Sequence, residues 1–316
     1  MKILLLGKNG QVGWELQRAL QPLGEMIALD RHTNDQGDCG DVSNFEQINQ
    51  TIARIQPNIV INATAYTAVD KAESEQLQND LINHLAVKNL AEQCKDINAL
   101  LVHYSTDYVF DGTGDAPWQE DNSTAPVNSY GQAKRDGEIA IEKTGVKFLN
   151  FRTSWVYASR GKNFIKTMLG LAATKEHLTI INDQHGVPTS AELIADVTAQ
   201  ALRYYLLKDE SAKASLWGHY HLVPTGVTTW YDYAKLIFNL AEQQGEKLMI
   251  QHVEPILTSN YPTPAKRPLN SRLNNEKIQL NFELQLPDWK QGVAYTVTEL
   301  LNKPDSQLFF LKPCKY

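Results

Sequence analysis

The chain has 316 residues, 42% of them hydrophobic and 21% charged, which is the composition of an ordinary globular protein of about two domains. The net charge of −6 disfavours non-specific binding to nucleic acid, so no nucleic-acid partner is expected. The three cysteines, Cys39, Cys94 and Cys314, are odd in number and widely spaced. They fit neither a disulfide framework nor a zinc site, and they favour a reducing cytoplasm.

The first apolar run, in "MKILLLG", is too short for a signal peptide or a membrane span, so no membrane partner is expected. Short apolar runs predict strands buried on both faces at residues 3–6, 26–29, 59–62, 100–104 and 148–151. Helical patterns lie between them at residues 12–20, 45–55, 77–94 and 130–142. This alternation predicts an α/β fold of Rossmann type, a doubly wound parallel sheet whose ligands bind at the carboxyl ends of the strands.

Beyond residue 152 the alternation becomes irregular, which predicts a smaller, mixed C-terminal lobe. Helices are predicted at residues 164–174, 191–207 and 230–243, and short strands near 178–181 and 219–223. The segment "TSNYPTPAKRPLNSRL", residues 258–273, contains three prolines and is predicted to be a loop. It is either an irregular connection or a loop that carries substrate-binding groups over the sheet edge.

The first strand leads into "GKNGQVG", with Gly7, Gly10 and Gly13, and then into a helix. Glycines there permit a tight turn and a close approach of the backbone to a pyrophosphate, which the helix N-terminus would stabilise. The spacing is G-x-x-G-x-x-G rather than the commoner G-x-G-x-x-G, but its place after a first strand predicts dinucleotide binding.

Two residues at the end of the second strand bear on cofactor choice. Asp30 would accept hydrogen bonds from an adenosine ribose and favour NAD, whereas Arg31 would pair with the 2′-phosphate of NADP. Use of both cofactors is therefore predicted, the alternative for Asp30 being a helix or turn cap. Asp41 and Val42, after a predicted third short strand, suit an adenine contact, although any loop Asp-Val would look the same.

The fourth long strand ends in Ser105, Thr106 and Asp107, and the next helix begins with "SYGQAK". Tyr130 and Lys134 are four residues apart and share a helix face. An ammonium near a phenol lowers the phenol pKa, and a threonine hydroxyl can bond the same substrate oxygen. These residues predict an acid catalyst at the strand edge, although Tyr-x-x-x-Lys alone is common on exposed helices.

Together these motifs resemble the extended short-chain dehydrogenase/reductase superfamily, and within it the dTDP-4-dehydrorhamnose reductase family. The resemblance covers residues 1–302 and includes "GKNGQVG", "NATAYTAVDKAE", "HYSTDYVFDGTG", "YGQAK", "FRTSWVYA", "NF-x-KTML", "INDQHGVPT" and "YPTPAKRPLNSRL". Tyr66 stands where a histidine is common in the family. The implied domains are a mainly NAD(P)-binding Rossmann domain at 1–152 and a mainly substrate-binding lobe at 153–302, with chain crossing allowed; the tail 303–316 has no predicted role.

The resemblance implies that NADH or NADPH delivers hydride to the C4 ketone of a dTDP-4-keto-6-deoxy sugar, giving dTDP-L-rhamnose for cell-surface polysaccharide. Tyr130 would protonate the developing alkoxide, Lys134 would hold the nicotinamide ribose, and Thr106 would orient the carbonyl. The implied substrate residues are Thr106, Asp107, Tyr108, Trp155, Asn163, Arg267 and Arg272. The implied cofactor residues are Gly7, Asn9, Gly10, Gln11, Val12, Gly13, Asp30, Arg31, Asp41, Val42, Ala63, Ala65, Tyr66, Thr67, Tyr130 and Lys134.

Some members of the family form a homodimer around Mg²⁺, using glutamates that match Glu15, Glu192 and Glu299. Three exposed glutamates on a solvated surface are the alternative. His103 and His185 have no metal-ligand spacing and are interpreted as structural or incidental.

Two other functions fit part of the pattern. A nucleotide-sugar 4,6-dehydratase or 4-epimerase has the same fold, but a dehydratase needs a glutamate where Tyr108 follows Asp107. A non-catalytic nucleotide-binding regulatory subunit would typically lose the tyrosine or the lysine, and both are present.

Overall fold

The protein is described by a computed structural model over residues 1–302, so the predicted tail and Cys314 lie outside the described residues. The strands are β1 (Lys2–Leu6), β2 (Glu25–Leu29), β3 (Ile59–Asn62), β4 (Leu100–Thr106), β5 (Phe148–Thr153), β6 (Val156–Tyr157), β7 (His177–Ile181), β8 (His185–Gly186), β9 (Thr189–Ser190), β10 (Gly218–His221), β11 (Thr228–Thr229) and β12 (His252–Ile256). The helices are α1 (Gln11–Leu20), α2 (Phe45–Ile55), α3 (Val69–Ala72), α4 (Gln76–Asp80), α5 (Ala86–Asp96), α6 (Ser129–Thr144), α7 (Phe164–Ala172), α8 (Ala191–Leu206), α9 (Glu210–Ala214), α10 (Trp230–Gln243), α11 (Glu276–Phe282) and α12 (Trp289–Leu301).

The main sheet has six parallel strands in the order β10-β5-β4-β3-β1-β2, which confirms the predicted α/β fold. Alternate residues of β1 face opposite layers of helices. Ile3 and Leu5 pack in the cluster that contains α1 and α8, and Leu4 and Leu6 pack in the cluster that contains α2 and α5. The sheet is therefore covered by helices on both sides.

Two local predictions around β2 are wrong. The strand is partly exposed because it is the edge strand of the sheet, and only Leu29 in it is buried. No strand is present between β2 and α2, where Asn34 instead accepts hydrogen bonds from the backbone of Gln36 and Asp38 in a turn. A side chain that bonds its own backbone replaces the strand ladder there.

The helix predicted over residues 77–94 is interrupted by a π-helical turn, Leu81–Leu85, between α4 and α5. Asn83 lies in this turn and bonds the backbone of Tyr66 in both directions, through Oδ1 to the N–H and through Nδ2 to the carbonyl. A π-turn often marks a functional site, and here it fixes the loop after β3.

The chain crosses between the two halves. Strand β10 comes from the C-terminal half yet pairs with β5 at the edge of the main sheet, and α8 packs against α1. The remaining strands form three two-stranded sheets, β12–β7, β11–β8 and β6–β9, around a second core that contains Tyr233 and Trp289. The division at residue 152 stays a prediction.

Within residues 1–302, no helix has both the length and the apolar character that crossing a bilayer requires.

Candidate active site

The glycine loop packs tightly at the carboxyl end of β1. Gly7 has a positive φ of 90°, and a Cβ placed on Gly13 would lie 2.1 Å from the Gly7 carbonyl oxygen. Gly10 is the N-cap of α1 and gives the helix no side-chain cap. The first turn of α1 therefore presents backbone N–H groups, as a pyrophosphate requires, and the residues fit a dinucleotide. Val12 packs against the core beneath this loop.

Asp30 is surrounded by donors from the glycine loop and its own turn. Its carboxylate accepts hydrogen bonds from Asn9 Nδ2 at 2.8 Å and from the His32 backbone N–H at 2.8 Å, and Lys8 Nζ lies 3.7 Å away. The His32 backbone bond is the largest cause that lowers the Asp30 pKa. Arg31 is exposed beside it. The contacts of Asp30 are thus compatible both with a turn cap and with ribose binding. Lys8 is a second cation near Asp30, in addition to Arg31.

The other two residues predicted to contact the adenosine, Asp41 and Val42, already have structural roles. Asp41 Oδ1 accepts from the Ser43 backbone and hydroxyl at 3.0 and 2.6 Å, and Val42 is buried in the core with 4% exposure. Ala65 and Thr67 are exposed after β3, next to Ala63, whose N–H donates to the Leu6 carbonyl. These small side chains leave an open surface beside the glycine loop.

Tyr66 is tied to a neighbouring acid. Its hydroxyl donates to Glu75 Oε2 at 2.5 Å, and this bond raises the Tyr66 pKa to about 12. The phenol therefore stays protonated at neutral pH at the position where the family commonly has a histidine.

Thr106 and Tyr130 meet at the carboxyl end of β4. Thr106 Oγ1 donates to Asp107 Oδ1 at 3.0 Å and accepts from the Tyr108 backbone N–H at 3.2 Å. The Tyr130 ring lies edge-on against the Tyr108 ring, with centroids 5.8 Å apart. The N-cap of α6 is Asn128, which accepts from the Gly131 N–H at 2.8 Å and starts the helix one residue before Tyr130.

The prediction that Lys134 lowers the Tyr130 pKa is wrong for this structure. Burial raises the Tyr130 pKa, the Asp107 charge raises it further, and the hydrogen bond with Thr106 opposes both. The phenol is consequently held in its protonated form, which is the form that gives a proton to a developing alkoxide.

Lys134 is 1% exposed and turns into the sheet rather than toward solvent. Its Nζ donates to the Tyr104 carbonyl at 2.5 Å and contacts His103 Nε2 at 3.1 Å. Burial lowers the Lys134 pKa to about 8, and the charge of Glu138 acts in the opposite direction. His103 is thus a direct neighbour of a predicted catalytic group, and its interpretation as a structural or incidental residue stays a prediction.

The contact of His103 with Asn62 indicates which ring nitrogen of His103 carries the proton. Asn62 Oδ1 accepts from the Thr64 N–H at 3.1 Å and the Thr64 hydroxyl at 2.6 Å, so Asn62 Nδ2 faces His103 Nδ1, 3.3 Å away. Nδ1 must then accept, which leaves the proton of a neutral imidazole on Nε2, toward Lys134. An Nε2–H donor of His103 that points at Nζ disfavours the charged form of Lys134. It therefore lowers the Lys134 pKa, as burial does.

Asp107 is a buried carboxyl at the centre of the site, with 3% exposure. Burial raises its pKa to about 6, while Ser271 and Thr106 hydroxyls oppose the shift. Ser271 comes from the 258–273 segment, which therefore reaches the carboxyl end of β4. The interpretation of this segment as a carrier of site residues is favoured over that of a plain connection.

Trp155 adopts a backbone conformation that bulky residues rarely take, with φ 47°. Its ring stacks on Trp230 at 3.7 Å between centroids, and a Cβ on Gly186 would come within 2.8 Å of it. Left-handed backbone at a non-glycine residue is typical of functional positions. The tight packing by Trp230 and Gly186 fixes the indole at the start of the C-terminal lobe.

The predicted phosphate-binding arginines already have partners. Arg267 pairs with Asp70 at 2.7 Å and donates to the Tyr108 hydroxyl at 3.2 Å, and Arg272 donates to Asn270 Oδ1 at 3.0 Å. Arg267 thus joins the 258–273 segment to α3 and to Tyr108.

Asn163 caps α7 and donates through Nδ2 to Gln11 Oε1 at 3.1 Å. It therefore links the C-terminal lobe to the cofactor helix instead of standing free for a sugar. Arg160 stacks over the Trp14 ring at 3.6 Å beside this link.

The three glutamates of the predicted metal site come from α1, α8 and α12 and share one surface. Burial raises the Glu192 pKa to about 7, and the charges of Glu15 and Glu299 raise it further. Their carboxylate oxygens do not form a three-ligand group within 4.8 Å among the described residues. One chain alone does not close around a cation with them.

Four residues of the site were not found from the sequence: Lys8, Asn62, Asn83 and Ser271. Asn62 ends a strand at the carboxyl edge, and Ser271 lies in the family-specific segment, so both positions carried a usable signal. Asn83 lies inside a helical pattern, where nothing in the sequence separates it from other polar helix residues.

Comparison with known proteins places this geometry in a family. The family model described as RmlD substrate binding domain matches residues 1–302. A dTDP-4-dehydrorhamnose reductase of Escherichia coli K12 is 54% identical over 302 residues, covering 96% of this chain and 99% of that protein. A dTDP-4-dehydrorhamnose reductase of Burkholderia thailandensis is 45% identical over 305 residues, covering 96% of this chain and all of that protein.

A crystal structure of dTDP-4-dehydrorhamnose reductase from Bacillus anthracis, in complex with NADP, superposes with a TM-score of 0.83 at 32% identity. It covers 94% of this chain and 99% of that one. On these matches and on the site geometry, the chain belongs to the dTDP-4-dehydrorhamnose reductase family.

Proposed function

We propose that this protein reduces the C4 ketone of dTDP-4-dehydro-6-deoxy-L-mannose to dTDP-L-rhamnose, using NADPH or NADH. The observation that carries the proposal is that Tyr130 lies beside Thr106 at the carboxyl end of β4, in a chain 54% identical to a reductase of that name. The geometry supplies a proton donor, and family membership supplies the substrate.

The residues present fit a nicotinamide dinucleotide, which when bound supplies the hydride. Tyr130, held protonated by burial, gives its proton to the ketone oxygen as negative charge develops there. Thr106 lies beside the Tyr130 hydroxyl, and its bond to Asp107 fixes the orientation of the threonine. Lys134 lies on the same helix face as the tyrosine, and its amine would have to turn away from the Tyr104 carbonyl and His103 to contact the nicotinamide ribose.

The direct test of this function is an absorbance assay at 340 nm with purified protein, the 4-keto sugar nucleotide and each reduced cofactor. Loss of absorbance that requires both the protein and the keto sugar is expected. A 4-epimerase, a 4,6-dehydratase or a non-catalytic subunit would consume no added NADPH. A flat trace with authentic substrate would therefore reject the reductase in favour of one of these alternatives.

Both cofactors are expected to work within about tenfold of each other, because Asp30 favours a ribose hydroxyl while the nearby cations favour a 2′-phosphate. Arg31→Ala should lower kcat/KM for NADPH and leave that for NADH nearly unchanged. Arg203→Ala, a change at an exposed arginine of α8, is the matched control. Equal losses with both cofactors would remove Arg31 from the 2′-phosphate site.

We also propose that two chains form a dimer around Mg²⁺ through Glu15, Glu192 and Glu299. Their mutual repulsion, which adds to burial in raising the Glu192 pKa, would be relieved by a hard cation with carboxylate ligands from both chains. EDTA should then shift the protein toward monomer on a sizing column, and added Mg²⁺ should reverse the shift. An elution volume that ignores both additions would leave the three glutamates as a solvated surface.

The proposed setting is the cytoplasm, where nucleotide sugars would be reduced before the rhamnose is transferred to a cell-surface polysaccharide. The buried, reduced cysteines Cys39 and Cys94 are compatible with that compartment.

A further inference from the structure

A group of metal-ligand side chains lies outside the active site, on the two-stranded sheet of β7 and β12. It consists of His177, His252 and Glu254, all exposed, and their ligand atoms lie within 4.8 Å of one another. In the part of the chain that the structure describes, no other group of three histidine, cysteine, aspartate or glutamate side chains has its ligand atoms this close together.

The backbone pairing explains why the three side chains meet. The strands are parallel, and His252 is the direct partner of His177. Glu254 is two residues beyond His252 and so projects from the same face of the sheet. The two imidazole centroids are 5.1 Å apart, and His177 Nε2 lies 3.5 Å from Glu254 Oε2.

From this geometry we propose that His177, His252 and Glu254 form a binding site for a divalent transition-metal ion of the Zn²⁺ class. Metal–nitrogen and metal–oxygen bonds of about 2.0–2.2 Å would place tetrahedral ligand atoms roughly 3.3 Å apart. Exposed side chains reach that spacing by rotation about their own bonds. Two imidazoles and one carboxylate suit Zn²⁺, Co²⁺ or Ni²⁺, whereas Mg²⁺ takes oxygen ligands.

A bound ion would stabilise the amino end of the β7–β12 pair, whose carboxyl end is already stabilised by hydrogen bonds. Beyond the carboxyl ends of β7 and β12, Asp183 accepts from the Thr258 backbone N–H and hydroxyl at 2.9 and 2.6 Å. The metal ligands lie at the amino end, on His177 and His252. Strand β12 leads into the 258–273 segment, so an ion here would stabilise the base of the segment that carries Ser271 and Arg267 to the active site.

The test uses the full chain, stripped with EDTA and then freed of the chelator. ZnCl₂ is titrated while bound zinc and the melting temperature are measured. The wild type should bind a zinc ion at this site and melt at a higher temperature, because a ligand of the folded state stabilises it. His177→Gln and His252→Gln should each lose this ion and the shift, and Glu254→Gln should weaken both.

His84→Gln is the matched control, because His84 pairs with Asp80 at 2.8 Å but has no second imidazole at hand. It should keep the bound ion and the full shift. Co²⁺ in place of Zn²⁺ should give the strong visible absorption of a low-coordinate complex in the wild type and not in His252→Gln. Equal zinc content and equal melting shifts in wild type and His252→Gln would overturn the proposal, as would a wild type that binds no zinc.

The same variant keeps this site distinct from the proposed glutamate site. In His252→Gln, EDTA should still shift the dimer toward monomer, and added Mg²⁺ should raise the melting temperature as much as in the wild type. If EDTA dissociated the wild-type dimer but not the His252→Gln dimer, the histidine site would also control dimerisation. That result would contradict its assignment as a site that stabilises only the β7–β12 strand pair.

Discussion

Tyr130→Phe should lower turnover of the keto sugar by at least roughly 10²–10⁴-fold, or about 2.7–5.5 kcal/mol of transition-state stabilisation. The change removes one oxygen and keeps the ring that packs edge-on against Tyr108. The fold and the affinity for NADPH should therefore survive, and the loss should appear in kcat. Steady-state rates at 340 nm, with NADPH binding followed by fluorescence, measure the two effects separately.

Tyr204→Phe is the matched control, since it also removes one hydroxyl and keeps the ring: half-buried Tyr204 donates an exposed hydrogen bond to Glu283 at 3.0 Å. It should leave turnover unchanged. A Tyr130→Phe protein that reduces the keto sugar at a near-normal rate would return Tyr130 and Lys134 to the status of an ordinary helical pair.

Lys134→Met should reduce turnover and also weaken NADPH binding, because it removes the proposed contact that holds the nicotinamide ribose. Methionine fills a similar volume but leaves the Tyr104 carbonyl and His103 without the amine that they contact. A lost buried hydrogen bond costs about 1–3 kcal/mol, so the melting temperature should fall as well. Rates therefore need to be compared well below the melting transition of the variant.

Lys88→Met provides the comparison at an exposed helical lysine, whose ion pair with Glu92 spans 3.9 Å. Such a pair contributes a few tenths of a kcal/mol and has no role in turnover. If Lys134→Met changed stability alone and left NADPH affinity and kcat intact, the lysine would be a core residue and not a part of the catalytic group.

Much of the fold could be predicted from periodicity. Helices α2 and α10 begin and end at the predicted residues, and β3 does too. These elements have strong apolar patterns that end at capping or turn residues, such as Asn44 before α2 and Thr229 before α10. Local pattern and tertiary burial agree there, so sequence alone is sufficient.

Other features depend on contacts that the sequence does not display. Strand β10 joins the sheet beside β5 from 65 or more residues away, and the exposure of β2 follows from its place at the edge. The left-handed backbone of Trp155 is imposed by packing against Trp230 and Gly186. No local rule predicts these positions, because tertiary packing decides them.

The choice of site residues stays a prediction, and the predicted electrostatics differ from those of the structure. Thr106, Tyr130 and Lys134 were chosen from spacing, but the amine turns toward His103 and Tyr104, and burial governs both pKa values. Spacing on a helix fixes a shared face; it does not fix where a flexible side chain ends or how much water it retains.

Isotope transfer tests the central claim most directly. With NADPH carrying deuterium at both C4 positions of the nicotinamide, the product is isolated and examined by mass spectrometry and NMR. Direct hydride delivery to the ketone predicts a dTDP-6-deoxyhexose that contains one deuterium, located at C4 of the sugar. A product without deuterium, or with the label at another carbon, would contradict reduction of the C4 ketone by this protein.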